Sequence, residues 1–149
     1  MQKKFHYKKT QIVYKTSGEG LPVILLHGFG EDATIWDKQV SYLKDHCQLI
    51  TPDLPGSGLS SFDDADAENS DSIEYYADMI EALLKYEDIN SCILLGHSMG
   101  GYITLAFAEK YPEKLRGFGL IHSTAFADTE EKKQISVQLK IPFEEFENE

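Results

Sequence analysis

The stretch LLGHSMGG at residues 94–101 carries one serine, Ser98, with a glycine two positions before it and another two positions after it. A serine hydroxyl becomes an effective nucleophile only where it is exposed, oriented and deprotonated by a neighbour. A direct passage from a strand into a helix at Ser98 forces a strained turn, and Gly96 and Gly100 leave room for it. Gly101 also lets the new helix pack closely on the sheet. The stretch therefore predicts a strand, a tight turn and a helix, with the serine hydroxyl presented at the turn.

Apolar segments closed by turn residues alternate with amphipathic helical segments along the chain. The segments that predict buried parallel strands, because both faces of such strands are covered, are 22–28, 48–51, 92–96 and 117–123. The segments that predict helices are about 34–43 with Thr34 as cap, 71–86 with Asp71 or Ser72 as cap, and 101–112. Residues 5–20 alternate apolar and polar positions, as in an antiparallel pair at a sheet edge. We predict an α/β fold, with a mostly parallel sheet and helices on both faces.

Polar and glycine-rich loops follow the predicted parallel strands. They are HGFG at 27–30, PDLPGSGLS at 52–60, GHSMGG at 96–101 and HSTAFAD at 122–128. The carboxyl ends of parallel strands lie at one edge of the sheet, and ligands bind in the crevice outside that edge. The candidate site is therefore expected where these loops meet.

These loops resemble the motifs of the α/β-hydrolase family. GHSMGG matches its G-x-S-x-G nucleophile elbow, and LLHGFG and DLPGSGLS resemble its oxyanion loop and the loop after its next strand. The resemblance covers about residues 5–128. It implies the N-terminal part of an α/β-hydrolase core over 1–128, truncated after about the sixth strand, and an acidic tail at 129–149 that corresponds to the start of a cap region.

The family's roles can be carried over position by position. The resemblance makes Ser98 the nucleophile and makes the backbone N–H groups of Phe29 and Met99 the oxyanion hole. Relatives with aspartate at the nucleophile position cleave epoxides or carbon–halogen bonds, so a serine implies acyl transfer from a small ester, thioester or amide. Residues expected to border the bound substrate are His27, Gly28 and His97.

The remaining triad residues depart from the family's pattern. The family has an acid and then a histidine after the nucleophile, but here His122 precedes Asp128 and no later histidine follows. Two alternatives stay open: His122 as the base, and Asp128 as an acid that needs a histidine to orient. We expect the acid, base and cap to lie beyond residue 149, and the 149-residue chain to have little turnover. The competing function is a non-catalytic domain that binds a ligand or partner, or that another chain completes.

Two further residues receive structural interpretations. Asp53 begins the DLPGSG loop, and the resemblance to the α/β-hydrolase family implies that it accepts from backbone N–H groups, as such an aspartate does in relatives, rather than serving as a triad acid. Trp36 is interpreted as a packing residue of its helix, with a place in the crevice as the alternative.

The charge distribution bears on the partners of the protein. The net charge is −11, and residues 61–90 hold ten acids against Lys85 alone, which disfavours nucleic acid and anionic lipid. Five lysines in residues 1–16 are interpreted as a solvated strand face. A small-molecule substrate is expected, and an exposed sheet edge favours self-association.

Motifs for other ligands and compartments are missing. GSGLSS lacks the third glycine of a dinucleotide-binding loop, and no P-loop or HExxH motif occurs, so neither cofactor nor metal is expected. Cys47 and Cys92 are isolated, and no apolar leader or membrane-length stretch is present. These features predict a cytoplasmic protein without a membrane span.

Overall fold

The structure, a computed structural model, describes residues 1–66 and 72–123. Its described part contains a six-stranded sheet whose strands are β1 (Gln2–Tyr7), β2 (Thr10–Ser17), β3 (Pro22–Leu26), β4 (Gln48–Pro52), β5 (Cys92–His97) and β6 (Leu115–Ile121). The helices are α1 (Asp37–Leu43), α2 (Ile73–Tyr86) and α3 (Met99–Lys110), with short 3₁₀ turns at Ala33–Trp36, Asp64–Asp66 and Pro112–Lys114. Strand and helix alternate from β3 onward, as the apolar segments predict.

The sheet is mixed and mostly parallel, in the order β1-β2-β4-β3-β5-β6. Strands β4, β3, β5 and β6 run parallel, β2 pairs antiparallel with β4, and β1 pairs antiparallel with β2 at the edge. In this register Leu26 lies opposite Gly96, and His97 lies opposite Ile121. The loops that leave β3, β5 and β6 therefore begin side by side at one edge of the sheet, where the sequence places the candidate site.

Apolar clusters cover the two faces of the sheet. Successive strand side chains point to opposite faces, so the apolar run of β3 supplies both clusters. Ile24 and Leu26 pack in a larger cluster with residues of α2 and α3, and Val23 and Leu25 pack in a smaller one with Trp36 and residues of α1. The prediction of helices on both faces is confirmed.

The start of the first helical segment differs from the sequence prediction. Asp32, not Thr34, is the cap: its side chain accepts a 2.8 Å hydrogen bond from the Thr34 N–H. The segment opens as a 3₁₀ turn, which has three residues per turn rather than 3.6. Because the tighter turn changes the direction in which successive side chains point, Ile35 lies at the surface while Trp36 is buried. In contrast, the predicted Ser72 cap of α2 is confirmed by its hydrogen bond from the Tyr75 N–H.

Some predictions fall outside the described residues. Asp71, Asp128 and the tail at 129–149 are among them, so the boundary at residue 128 stays a prediction. Within the described ranges, no helix has the length and apolar character needed to cross a membrane.

Candidate active site

Ser98 occupies a strained turn between β5 and α3. Its backbone has φ 54° and ψ −117°, a conformation that costs a non-glycine residue about 1–3 kcal/mol and that persists only where neighbours hold it. The Ser98 N–H donates to the Ile121 carbonyl at 3.1 Å. The Ser98 carbonyl accepts from the Ser123 hydroxyl at 2.8 Å and from the Gly101 N–H at 2.9 Å. The residue itself is exposed, so the turn presents its side chain to solvent.

The glycines around Ser98 stand where the structure has no room for a Cβ atom. A Cβ on Gly96 would lie 2.1 Å from the Gly100 carbonyl oxygen, and one on Gly100 would lie 2.6 Å from the Leu26 carbonyl oxygen. A Cβ on Gly101 would lie 2.1 Å from the Ser123 hydroxyl oxygen. These distances are shorter than any real Cβ contact, which confirms the prediction that positions 96, 100 and 101 must be small.

His27 fastens the loop after β3. The side chain is fully buried; its Nε2 accepts a 2.9 Å hydrogen bond from the Leu54 N–H, and its Nδ1 lies 2.8 Å from the Gly28 carbonyl oxygen. This pairing assigns the ring proton to Nδ1, which donates to Gly28. His27 is expected from the sequence to border the substrate. Because its side chain has no exposed surface, the ring instead shapes the loop from within.

The Gly28–Phe29 peptide has a fixed direction beside Ser98. The Gly28 carbonyl accepts from His27 Nδ1 and, at 3.3 Å, from the Glu31 N–H. Because a trans peptide is planar, the Phe29 N–H points away from these two donors. A Cβ on Gly28 would lie 3.0 Å from Ser98 Cβ, so this peptide adjoins the serine, while the Phe29 side chain is 86% exposed.

Met99 supplies the second N–H near the serine. It is the first residue of α3, and the first N–H groups of a helix have no acceptor within the helix. The partial positive charge of the helix N-terminus adds to the attraction for an anion at this point. The Met99 and Phe29 N–H groups are therefore carried by elements that flank Ser98 on two sides.

Glu31 is a site residue that the sequence analysis missed. Its Oε2 accepts a 2.7 Å hydrogen bond from the Gly28 N–H and lies 2.9 Å from His97 Nδ1. Desolvation acts to raise the pKa of Glu31, but the hydrogen bonds from Gly28 and His97 hold this pKa below its usual value. The sequence signal was a carboxylate inside the HGFGED loop; its partner at position 97 becomes visible only in three dimensions.

The ring of His97 lies between two other rings. The Trp36 and His97 centroids are 6.4 Å apart with perpendicular planes, and the His97 and His122 centroids are 5.9 Å apart. His122 is exposed, has φ 46°, and follows the end of β6. Among residues 1–66 and 72–123, no imidazole is hydrogen bonded to the Ser98 hydroxyl, so His122 is not placed as a base here. His97 is partly exposed beside Ser98, and its expected place at the border of the substrate stays a prediction.

Asp53 and Trp36 take the structural roles interpreted from the sequence. The buried Asp53 carboxylate accepts 2.9 Å hydrogen bonds from the N–H groups of Ala33 and Leu59. A Cβ on Gly58 would lie 2.4 Å from the Asp53 carboxyl carbon, so the loop closes tightly around it. Trp36 is 5% exposed and packs in the smaller cluster. Asp53 therefore accepts hydrogen bonds from backbone N–H groups, and Trp36 packs in the core.

Two cavities lie near this loop system in the described part of the chain. One, of about 330 Å³, lies between β2 and the loops at 32–34 and 58–59. The other, of about 490 Å³, is open and is lined by residues of 30–35 and 56–58, including Glu31. Neither is lined by Ser98, and the described residues contain no group of three or more His, Cys, Asp or Glu arranged to hold a metal ion.

Comparison with known proteins adds independent support for the fold. The sequence model of the alpha/beta hydrolase fold family matches residues 22–141. The chain is 32% identical over 109 residues to (E)-2-((N-methylformamido)methylene)succinate hydrolase of Acinetobacter baylyi, an alignment that covers 73% of this chain and 40% of the relative. It is 38% identical over 114 residues to Karrikin insensitive 2 receptor IA of Petunia hybrida, covering 74% of this chain and 42% of the relative.

A solved structure is similar in three dimensions. A thermophilic esterase from Thermogutta terrifontis, with malate bound, superposes with a TM-score of 0.78 and 33% identity, covering 88% of this chain and 48% of the esterase. The chain thus spans less than half the length of each of these three relatives.

Proposed function

Since this chain belongs to the alpha/beta hydrolase fold family, we propose that it carries the nucleophile of a serine hydrolase that forms an acyl-enzyme on Ser98. The observation that carries the proposal is the backbone of Ser98, which is strained, exposed and placed at the start of α3 beside the Gly28–Phe29 peptide. Strain at an exposed serine, held by its neighbours, is typical of a functional turn.

In the proposed reaction, Ser98 Oγ attacks the carbonyl carbon of the substrate and gives up its proton to a base. The N–H groups of Phe29 and Met99 donate to the oxyanion, and one such donor contributes about 3 kcal/mol to the transition state. Collapse of the tetrahedral intermediate expels the alcohol, thiol or amine and leaves the acyl group on Ser98 Oγ. Water then hydrolyses this ester and restores the serine. The base and its acid partner are proposed to come from outside the described residues.

The proposed substrate is a small ester, thioester or amide. Two relatives support hydrolysis of this kind, since one is named a hydrolase and another an esterase. The acidic composition of the chain supports a small molecule rather than a nucleic acid as the partner. Phe29 lies largely in solvent beside Ser98 and offers an apolar surface for an acyl or alkyl group.

A fluorophosphonate probe tests the proposal. We expect intact mass spectrometry to find one phosphonyl group on the wild-type chain, at Ser98, and none on Ser98→Ala. Ser41→Ala is the matched control, because Ser41 is an exposed serine of α1, remote from the turn. Labelling should be slow, since no imidazole of the described residues contacts the Ser98 hydroxyl. Equal labelling of wild type and Ser98→Ala would contradict the proposal.

A second candidate function is ligand binding without turnover. It is favoured by the Petunia relative, which is named a receptor. Thermal shift with γ-butyrolactone, a small neutral carbonyl compound, separates the two functions. A binding domain should shift equally as wild type and as Ser98→Ala and should resist the fluorophosphonate, whereas the hydrolase should react with it.

A further inference from the structure

We propose that Glu31 is a positioning residue, whose carboxylate joins the two walls of the oxyanion site. One wall is the loop at 27–30, and the other is the turn at 97–98. The proposal rests on the proposed function, because it assigns Glu31 a part in presenting the Phe29 N–H to the substrate oxygen. We call the contact of Glu31 with Gly28 and His97 the Glu31 clamp.

The Glu31 clamp uses a single oxygen atom. Oε2 lies 2.7 Å from the Gly28 nitrogen and 2.9 Å from His97 Nδ1, and these partners follow or end the neighbouring strands β3 and β5. A Cβ on Gly28 would lie 2.9 Å from Oε2 and 3.0 Å from Ser98 Cβ. The carboxylate oxygen is therefore within about 6 Å of Ser98 Cβ, so the clamp lies directly beside the turn that carries the serine.

The clamp restrains a glycine of the loop at 27–30. A Cβ at position 28 would crowd Ser98 Cβ at 3.0 Å, and the glycine that avoids this contact has more conformational freedom than any other residue type. The Glu31 carboxylate holds the Gly28 N–H, while His27 Nδ1 and the Glu31 N–H hold the Gly28 carbonyl. With both peptide groups of Gly28 held, the direction of the Phe29 N–H is fixed before substrate binds, which is what an oxyanion donor requires.

Several titratable groups surround the clamp. His97 faces Glu31 from the end of β5, and His27 lies just after β3. Asp32 follows Glu31 in the same loop, and the His122 ring contacts the His97 ring edge to face. The lowered pKa of Glu31 keeps its carboxylate ionised at neutral pH, and an ionised carboxylate is the stronger acceptor. The clamp should weaken as the pH falls through that lowered pKa.

Backbone NMR of the complete 149-residue chain tests the clamp without reference to catalysis. The amide proton of Gly28 should shift with pH in the wild type, with a midpoint below the usual glutamate value of about 4.3. That titration should disappear in Glu31→Gln, and hydrogen exchange at Gly28 should speed up at least tenfold in Glu31→Ala. Glu19→Gln is the control, because Glu19 is an exposed carboxylate in the turn between β2 and β3. Unchanged titration and exchange at Gly28 in the Glu31 variants would overturn the proposal.

The reaction of Ser98 supplies the functional readout. With a fluorophosphonate, we expect Glu31→Ala to lower the maximal rate of Ser98 labelling about tenfold, with little change in the half-saturating concentration. Glu31→Gln, which keeps an acceptor for the Gly28 N–H, should recover most of the rate and lose the acid limb of its pH profile. Wild-type rates in Glu31→Ala would overturn the clamp and leave the proposed function standing. If the wild-type chain is not labelled at Ser98, the proposed function is wrong. The pH titration and hydrogen exchange of the Gly28 amide would still show whether the clamp forms.

Discussion

His27 Nε2 accepts a 2.9 Å hydrogen bond from the backbone N–H of Leu54, which joins the loop after β3 to the loop after β4. Through Nδ1, the same ring holds the Gly28 carbonyl at 2.8 Å. Both partners are backbone groups, so the His27 ring joins two loops at the carboxyl edge of the sheet through hydrogen bonds. The placement of the Gly28–Phe29 peptide beside Ser98 depends on this contact.

Replacing this buried ring by an apolar ring of similar size, His27→Phe, should lower the free energy of unfolding by about 2–4 kcal/mol. The substitution leaves the Leu54 N–H unsatisfied, which costs about 1–3 kcal/mol, and removes one of the two hydrogen bonds to the Gly28 carbonyl, a further loss of about 1 kcal/mol. Urea denaturation followed by circular dichroism measures the change. His46→Phe, at an exposed position, is the control and should change stability by less than about 0.5 kcal/mol. A His27→Phe variant as stable as wild type would show that water satisfies both groups.

Adding one methyl group at Gly96, at the end of β5, should destabilise the fold. In Gly96→Ala the new Cβ would lie 2.1 Å from the Gly100 carbonyl oxygen, so α3 must move away from β5. We expect destabilisation of about 2–4 kcal/mol, at the upper end of the range for overpacking and backbone strain. Gly117→Ala is the matched control in β6, since the one atom of the described residues within 4 Å of its Cβ would be Ile93 Cγ1, at 4.0 Å. Differential scanning calorimetry measures the melting temperatures of both variants. Equal melting temperatures would contradict the close contact between Gly96 and Gly100.

The two cysteines should differ in reactivity. Burial raises the pKa of the Cys92 thiol to about 12, and it also raises the pKa of Cys47, which is partly exposed. Because the thiolate is the reactive form, a raised pKa slows alkylation, and full burial blocks access as well. Iodoacetamide at pH 8 should therefore modify the native chain slowly at Cys47 and not at Cys92, as read by peptide mass spectrometry. In denaturant both should react; early modification of native Cys92 would mean that the core opens readily.

Asp78 should make stability depend on pH. Its Oδ1 lies 2.5 Å from Lys110 Nζ and accepts a 2.6 Å hydrogen bond from the Tyr111 hydroxyl, contacts that join α2 to the end of α3. Desolvation acts to raise the pKa of Asp78, but these hydrogen bonds and the Lys110 charge hold it below its usual value. A group with a lowered folded-state pKa stabilises the protein above its unfolded pKa, about 3.9 for aspartate, and loses that contribution as the pH falls through the folded value.

The comparison with Asp78→Asn isolates this contribution. At pH 7 the wild type should be more stable by up to about 1 kcal/mol, since the carboxylate is partly exposed and screened by solvent. The difference should shrink below pH 4 and vanish at lower pH, as measured by urea denaturation at each pH. A difference that stays constant from pH 7 to pH 2 would assign the effect to packing rather than to charge.

Local sequence patterns were sufficient to predict the elements and the serine turn. The glycine at 96 meets a steric demand from a residue close in the chain, since its Cβ would lie against Gly100, whereas the glycines at 100 and 101 face Leu26 and Ser123 from distant parts of the chain. Apolar runs identified all four parallel strands; β3 and β4 are largely buried, as strands covered on both faces are, whereas the edge strand β6 is only partly buried. The acceptor role of Asp53 was also accessible, since one of its N–H partners, Leu59, lies six residues further along the same loop.

Contacts between distant residues required the tertiary structure. Glu31 and His97 are 66 positions apart, and their hydrogen bond exists only because β3 and β5 pair with Leu26 opposite Gly96. The antiparallel pairing of β2 with β4 and the edge-to-face contact of His122 with His97 depend on strand order in the same way. The sequence by itself determined the strands, the helices and the bend at Ser98, because steric and apolar patterns act over a few residues. Only the tertiary structure decided which side chains surround that serine, because strand register brings together groups that no local pattern connects.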